Sequence, residues 1–198
     1  MEGPPDSRPR LTRDAAWRIL TEFTRSDSLR KHALAVEATM RAYAGRYGDD
    51  PDTWGMAGLL HDFDYEMHPA GPQHPLKGAE ILAARGVPPD IVYAILAHAD
   101  YAGCPRRSLL DRALYACDEP SGFITACALV RPGRAIAGLE ASSVIKKLKD
   151  KGFARSVNRH DVYRGAEELG VPLDAHLGFL VETLTAFAPA LGLGGPGR

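Results

Sequence analysis

Five separate stretches of this chain each bring an imidazole or a carboxylate to an apolar helical face. His32 lies within SLRKHALAVEATM, His61 and Asp62 end the run AGLLHD, His74 opens HPLKGAEIL, His98 ends IVYAILAHA, and Asp118 ends RALYACD. A buried imidazole or carboxylate is costly unless paired or ligated, so five such segments point to one shared partner. A divalent cation is the simplest, because imidazole and carboxylate together suit Fe, Mn, Zn, Co or Ni. The dipeptide His-Asp recurs at His160 and Asp161, after the polar stretch RSVNR. There it lacks an apolar lead-in, and Asp161 is expected to cap the following helix.

The elements that must position these groups read as helices throughout. Thr12 or Asp14 caps a first helix through about Thr24, and Ser26 or Ser28 opens a second that stops at Gly48. A third follows the DDPD turn. Further helices are expected at about 75–85, 88–99, 107–118 and 120–130, with Pro75, Pro88, Pro89 and Pro120 at or near first-turn positions. Three more follow near 139–150, 160–169 and 173–187. No segment alternates with period two, so the fold class is all-α, a helical bundle whose functional residues converge from several helices.

The 198 residues suit one domain, expected over 11–188, with flexible ends at 1–10 and 189–198 on their Pro and Gly content. A composition 45% hydrophobic and 25% charged, with a net charge of −1, is that of a globular chain. It carries no strong nucleic-acid signal and sets no oligomeric state. No apolar run reaches the roughly 18 residues of a membrane span, and the first residues lack a signal-peptide core, so a cytoplasmic location is expected. Three cysteines without C-x-x-C spacing read as free thiols.

The order H…HD…H…H…D, with LLHD, HPLKGAEIL, ILAHADY and LYACDEPSGF around it, resembles the HD-domain superfamily of metal-dependent phosphohydrolases in its two-metal branch. The resemblance covers about residues 28–131, leaving 132–188 as a C-terminal helical extension. It implies an HD-domain bundle in which His32, His61, Asp62 and Asp118 hold one metal. Asp62, the central catalytic residue, would bridge to a second metal completed by His74 and His98. The implied activity is hydrolysis of a phosphoester or phosphoanhydride in a small, nucleotide-like phosphorylated molecule by metal-activated water. The same ligand order also serves di-iron oxygenases, and a metal-stabilised binding module without turnover is a third reading.

Lys77 follows His74 by three residues, so on a continuous helix it shares that face and is the candidate substrate-binding cation, against a solvated surface lysine. Asp64, Tyr65, Glu66 and His68 are expected to rim the cavity. Asp100, Tyr101 and Glu119 are expected to orient the imidazoles. His176, in LDAHLGFL, reads as a packing histidine, and KKLKDK at 146–151 as a solvated helix face. No G-x-G-x-x-G, Walker A or G-x-S-x-G pattern is present, which leaves nucleotide-fold and serine-hydrolase readings without support.

Overall fold

The computed structural model describes residues 11–69 and 71–195. Those residues form ten α-helices and two 3-10 turns: α1 Arg13–Phe23, α2 Asp27–Tyr47, α3 Pro51–Leu60, α4 Gln73–Ala84, α5 Pro89–Ala97, α6 Leu109–Leu129, α7 Ala141–Leu148, α8 Arg159–Leu169, α9 Leu173–Ala186 and α10 Ala188–Leu191. The fold is all-α, with no strand among the described residues and no helix long and apolar enough to cross a membrane.

Local chemistry sets most boundaries. Thr12 and Ser26 cap α1 and α2 by accepting the backbone N–H groups of Ala15 and Leu29. Gly48 and Gly170 close α2 and α8 in the left-handed conformation. At α6, Ser108 and Asp111 form a reciprocal capping box. The core gathers α2, α3 and α6 around buried Trp54, Tyr43, Phe63 and Phe123. At Gly58, α3 lies directly against the α2 backbone, since a Cβ there would sit 2.8 Å from the Val36 carbonyl oxygen. That approach draws the end of α3, and with it His61, toward His32.

Pro120 does not begin a new helix. One helix, α6, runs through it from Leu109 to Leu129. A mid-helix proline leaves the carbonyl four residues back without its N–H partner, here Ala116. His176 supplies the replacement: its Nε2 donates to the Ala116 oxygen at 2.9 Å, while its Nδ1 accepts from the Tyr43 hydroxyl at 2.6 Å. The packing role expected of His176 is thus a buried polar bridge between α9, α6 and α2.

The flexibility expected of residues 1–10 lies outside the described residues. At the other end, α10 forms within the stretch expected to be flexible, and Leu191 and Leu193 are buried. Gly194 pairs with Ala135 in an isolated bridge.

Candidate metal centre

His32 comes from the second turn of α2, His61 caps the C-terminus of α3, and Asp62 follows it in a run of turns. His74 sits at the start of α4, His98 caps the end of α5, and Asp118 lies midway along α6. The fold brings all six together in two groups that share Asp62. One atom each from His32, His61, Asp62 and Asp118 lie within 4.8 Å of one another, as do one each from Asp62, His74 and His98.

The two carboxylate oxygens of Asp62 divide between the groups. Its Oδ2 faces Nε2 of His61 at 3.4 Å and of His32 at 3.9 Å, while its Oδ1 faces Nε2 of His74 at 3.1 Å and of His98 at 3.5 Å. Asp118 completes the first group, with Oδ1 at 2.9 Å from His32 Nε2 and 3.3 Å from His61 Nε2.

Three of the four imidazoles are aimed by a bond from their other nitrogen. His61 Nδ1 donates to the Gly58 carbonyl at 2.8 Å, His98 Nδ1 to the Ile95 carbonyl, and His74 Nδ1 to Asp64 Oδ1 at 2.7 Å. Each bond fixes the tautomer that leaves Nε2 as a bare donor toward the centre. His61 Nε2 is fully buried and makes no hydrogen bond, an orphan that a cation would satisfy. Nitrogen and carboxylate donors in this number fit a first-row divalent metal.

The electrostatics agree with that fit. Burial disfavours charge on His61, yet the Asp62 and Asp118 carboxylates outweigh it and hold the imidazole well above its usual range. Likewise His74 is pushed up to about 9, against its burial, by Asp62 and Asp64. Burial would raise Asp62 and Asp118, but the neighbouring histidines hold both below the usual carboxylate range. Carboxylates that draw protons onto imidazoles draw a cation in their place, so metal uptake releases protons and weakens as pH falls.

Asp64, expected at the cavity rim, is buried beneath it. Its Oδ2 accepts the Gly78 backbone N–H at 3.0 Å while Oδ1 holds His74, a contact possible only because residue 78 has no side chain: a Cβ would lie 2.5 Å from the Asp64 carboxyl carbon. Asp64→Ala is expected to lower metal affinity at the His74 and His98 side about 10–100-fold, read by competition with a chelating dye. Unchanged affinity would show that His74 needs no such support.

A cavity of about 470 Å³ opens onto the centre. Its far wall is Tyr115, Glu119, Ser156, Asn158 and Asp161. Burial, with Asp118 adding to it, pushes the Glu119 carboxyl up to about 8. Asp161 is not the helix cap expected of it, since Asn158 caps α8. Instead its Oδ1 accepts the Tyr115 hydroxyl at 2.9 Å and its Oδ2 the Asn158 amide at 2.7 Å. Glu119 follows Asp118 directly and Tyr115 precedes it by three residues on α6, and that spacing is the signal in the sequence that sets this part of the wall beside the ligands.

Other expected roles are corrected. Lys77 does not line this cavity; its ammonium pairs with Glu80 at 2.8 Å on the exposed face of α4. The reason is His74, whose ψ of 135° takes it out of helical register, so the two residues share no face. Asp100 bonds Arg106 and Arg164 rather than an imidazole. Glu66 turns away to accept the backbone N–H groups of Arg25 and Ser26, whereas Tyr65 and Tyr101 do border the cavity.

Comparison with known proteins places these residues in a family. Residues 29–119 match the HD domain. Ribonuclease Y of Desulfotalea psychrophila is 34% identical over 121 residues, which are 61% of this chain and 21% of that protein. Ribonuclease Y of Nitratidesulfovibrio vulgaris is 34% identical over 137 residues, 67% of this chain and 23% of the relative. Its counterpart in Oleidesulfovibrio alaskensis is 30% identical over 134 residues, 67% and 24%. The chain therefore spans under a quarter of the length of these curated relatives. No solved structure matches it. With its all-α fold, its His and Asp cluster and the match over residues 29–119, the chain carries an HD domain.

Proposed function

We propose that the protein hydrolyses a phosphoester or phosphoanhydride bond in a nucleotide-like substrate at a binuclear metal centre. The carrying observation is Asp62, whose Oδ1 and Oδ2 face different imidazole pairs. His32, His61, Asp62 and Asp118 would hold one ion, and His74, His98 and the other oxygen of Asp62 the second. When bound, such a pair polarises a phosphoryl oxygen and supplies a hydroxide nucleophile at neutral pH. The chain's own part is to aim three of the four imidazoles through backbone and carboxylate bonds and to keep the ligand set at the floor of a walled cavity. Two carboxylates against two divalent cations leave net positive charge there, which favours an anionic phosphate. Because the relatives are named ribonucleases, an RNA phosphodiester belongs to this substrate class.

The test is metal analysis of protein purified without chelator, followed by turnover of phosphomonoesters, phosphodiesters and nucleotides with the metal found. About two ions per chain and hydrolysis in that panel are expected. One ion or fewer under saturating metal, with His74 and His98 substitutions leaving the content unchanged, would reduce the centre to a single site. Oxygen-dependent turnover with an iron spectrum would replace the hydrolase with an oxygenase. Tight retention of a ligand without turnover would indicate a binding module.

A further inference from the structure

A second cavity, of about 290 Å³, adjoins the first, and the two share His32 and Gly122. Its floor is α6 beyond the ligand: Asp118, Gly122, Thr125 and Leu129 recur at intervals of four, three and four residues and so lie along one helix face. At 1.5 Å per residue, Thr125 is about 10 Å along the axis from Asp118. One wall is the first turns of α2, with Ser28 and Lys31, and the other is Arg134 with Leu193. A Cβ at Gly122 would meet nothing nearer than the His32 ring at 3.7 Å, so the glycine leaves the passage between the cavities open.

Charge separates the two spaces. The larger is lined by Asp62, Asp100, Asp118, Glu119 and Asp161, and by no Lys or Arg among the described residues. The smaller holds two cations, Lys31 and Arg134, against one carboxylate, Asp27. Arg134 is exposed, no ion pair or side-chain hydrogen bond engages it among the described residues, and its backbone stands at φ 52°, uncommon for a residue with a side chain. The loop that carries it is fixed: Arg131 Nη1 donates to the carbonyls of Ala135, Ile136 and Ala137, and Ile136 N–H donates to Leu193. Among the described residues Lys31 is paired only with Asp27, at 2.7 Å across an exposed helix turn, a contact weak enough for a phosphate to displace.

We infer that the groove from His32 and Gly122 to Lys31 and Arg134 binds a second, non-reacting phosphate of the substrate. The inference rests on the phosphohydrolase reading and names the substrate class: a molecule with a phosphate beyond the scissile one. That phosphate belongs either to a short nucleic acid strand or to a polyphosphate.

The metal-loaded protein tests it with adenylyl-adenosine, its 5′- and 3′-phosphorylated forms, and diadenosine tetraphosphate. An added phosphate is expected to raise kcat/KM about tenfold through KM, and less as salt increases. The double variant Lys31→Ala, Arg134→Ala erases that preference, whereas Lys31→Arg with Arg134→Lys keeps most of it. Preference among the dinucleotides assigns the groove to a strand, and preference for the tetraphosphate alone assigns it to a polyphosphate. Equal kcat/KM with and without the extra phosphate, or a preference that survives the double variant, overturns the inference. If the wild-type protein turns over none of them, the hydrolase reading falls, and the same comparison is made on Kd by titration calorimetry. Equal Kd values then overturn the groove as well.

Discussion

Asp62→Ala is expected to empty both metal positions and to lower kcat/KM about a thousandfold or more. The size follows from the placement of its two oxygens, one toward each imidazole pair. Removing an outer ligand would weaken one ion, whereas removing Asp62 takes a donor from both and leaves Asp118 as the single carboxylate of the two donor groups against two divalent charges. A thousandfold loss corresponds to about 4 kcal/mol of transition-state stabilisation, within what metal activation of water supplies. Metal content by mass spectrometry and steady-state kinetics check it, with circular dichroism confirming the helical fold. Asp62→Asn, which keeps the shape, should lose most of the same metal. Full metal content and full turnover in either variant would remove Asp62 from the active site.

The second large effect is on stability. His176→Leu leaves the Tyr43 hydroxyl and the Ala116 carbonyl buried without partners, at a cost of about 1–3 kcal/mol each. A total loss of about 2–6 kcal/mol is expected in urea denaturation. His176 also carries a pH dependence, because burial pushes its imidazole down to about 4. Above about pH 6.5 the histidine is neutral in both folded and unfolded chains, and its contribution is complete. As pH falls from 6.5 toward 4 the unfolded chain takes the proton first, and stability drops by about 1.4 kcal/mol per pH unit. His176→Gln keeps a donor for Ala116 but cannot titrate, so its stability should fall less steeply over that window. Identical slopes would show that His176 is charged in the folded state.

What could be read from the residues alone was what depends on neighbours in the chain. Thr12, Ser26, Gly48 and Gly170 mark helix ends through bonds within a few residues, and the helices begin and stop there. Pro120 was misleading because the group that lets α6 continue, His176, is distant in sequence and visible only once α9 is packed. Lys77 failed for the opposite reason. Its face was counted on an unbroken helix, and a single non-helical ψ at His74 rotates it away. The sequence places Asp64 by its position after the His-Asp pair and Asp161 by the polar stretch before it, whereas the bonds to His74 and Tyr115 that define them cross between elements. Asp62 and the five residues that gather around it are legible because apolar stretches mark a polar residue in their midst as an exception.

The division of the main cavity between two parts of the chain has an evolutionary consequence. Every member of the two donor groups lies at or before residue 118, within the HD match, while Ser156, Asn158 and Asp161 on the opposite wall come from beyond it. Selection can therefore redraw the segment from 150 to 161 without touching either donor group. Natural variants that trade one substrate for another should carry their changes there, and a chimera exchanging that segment alone would inherit the donor's preferences on an unaltered floor.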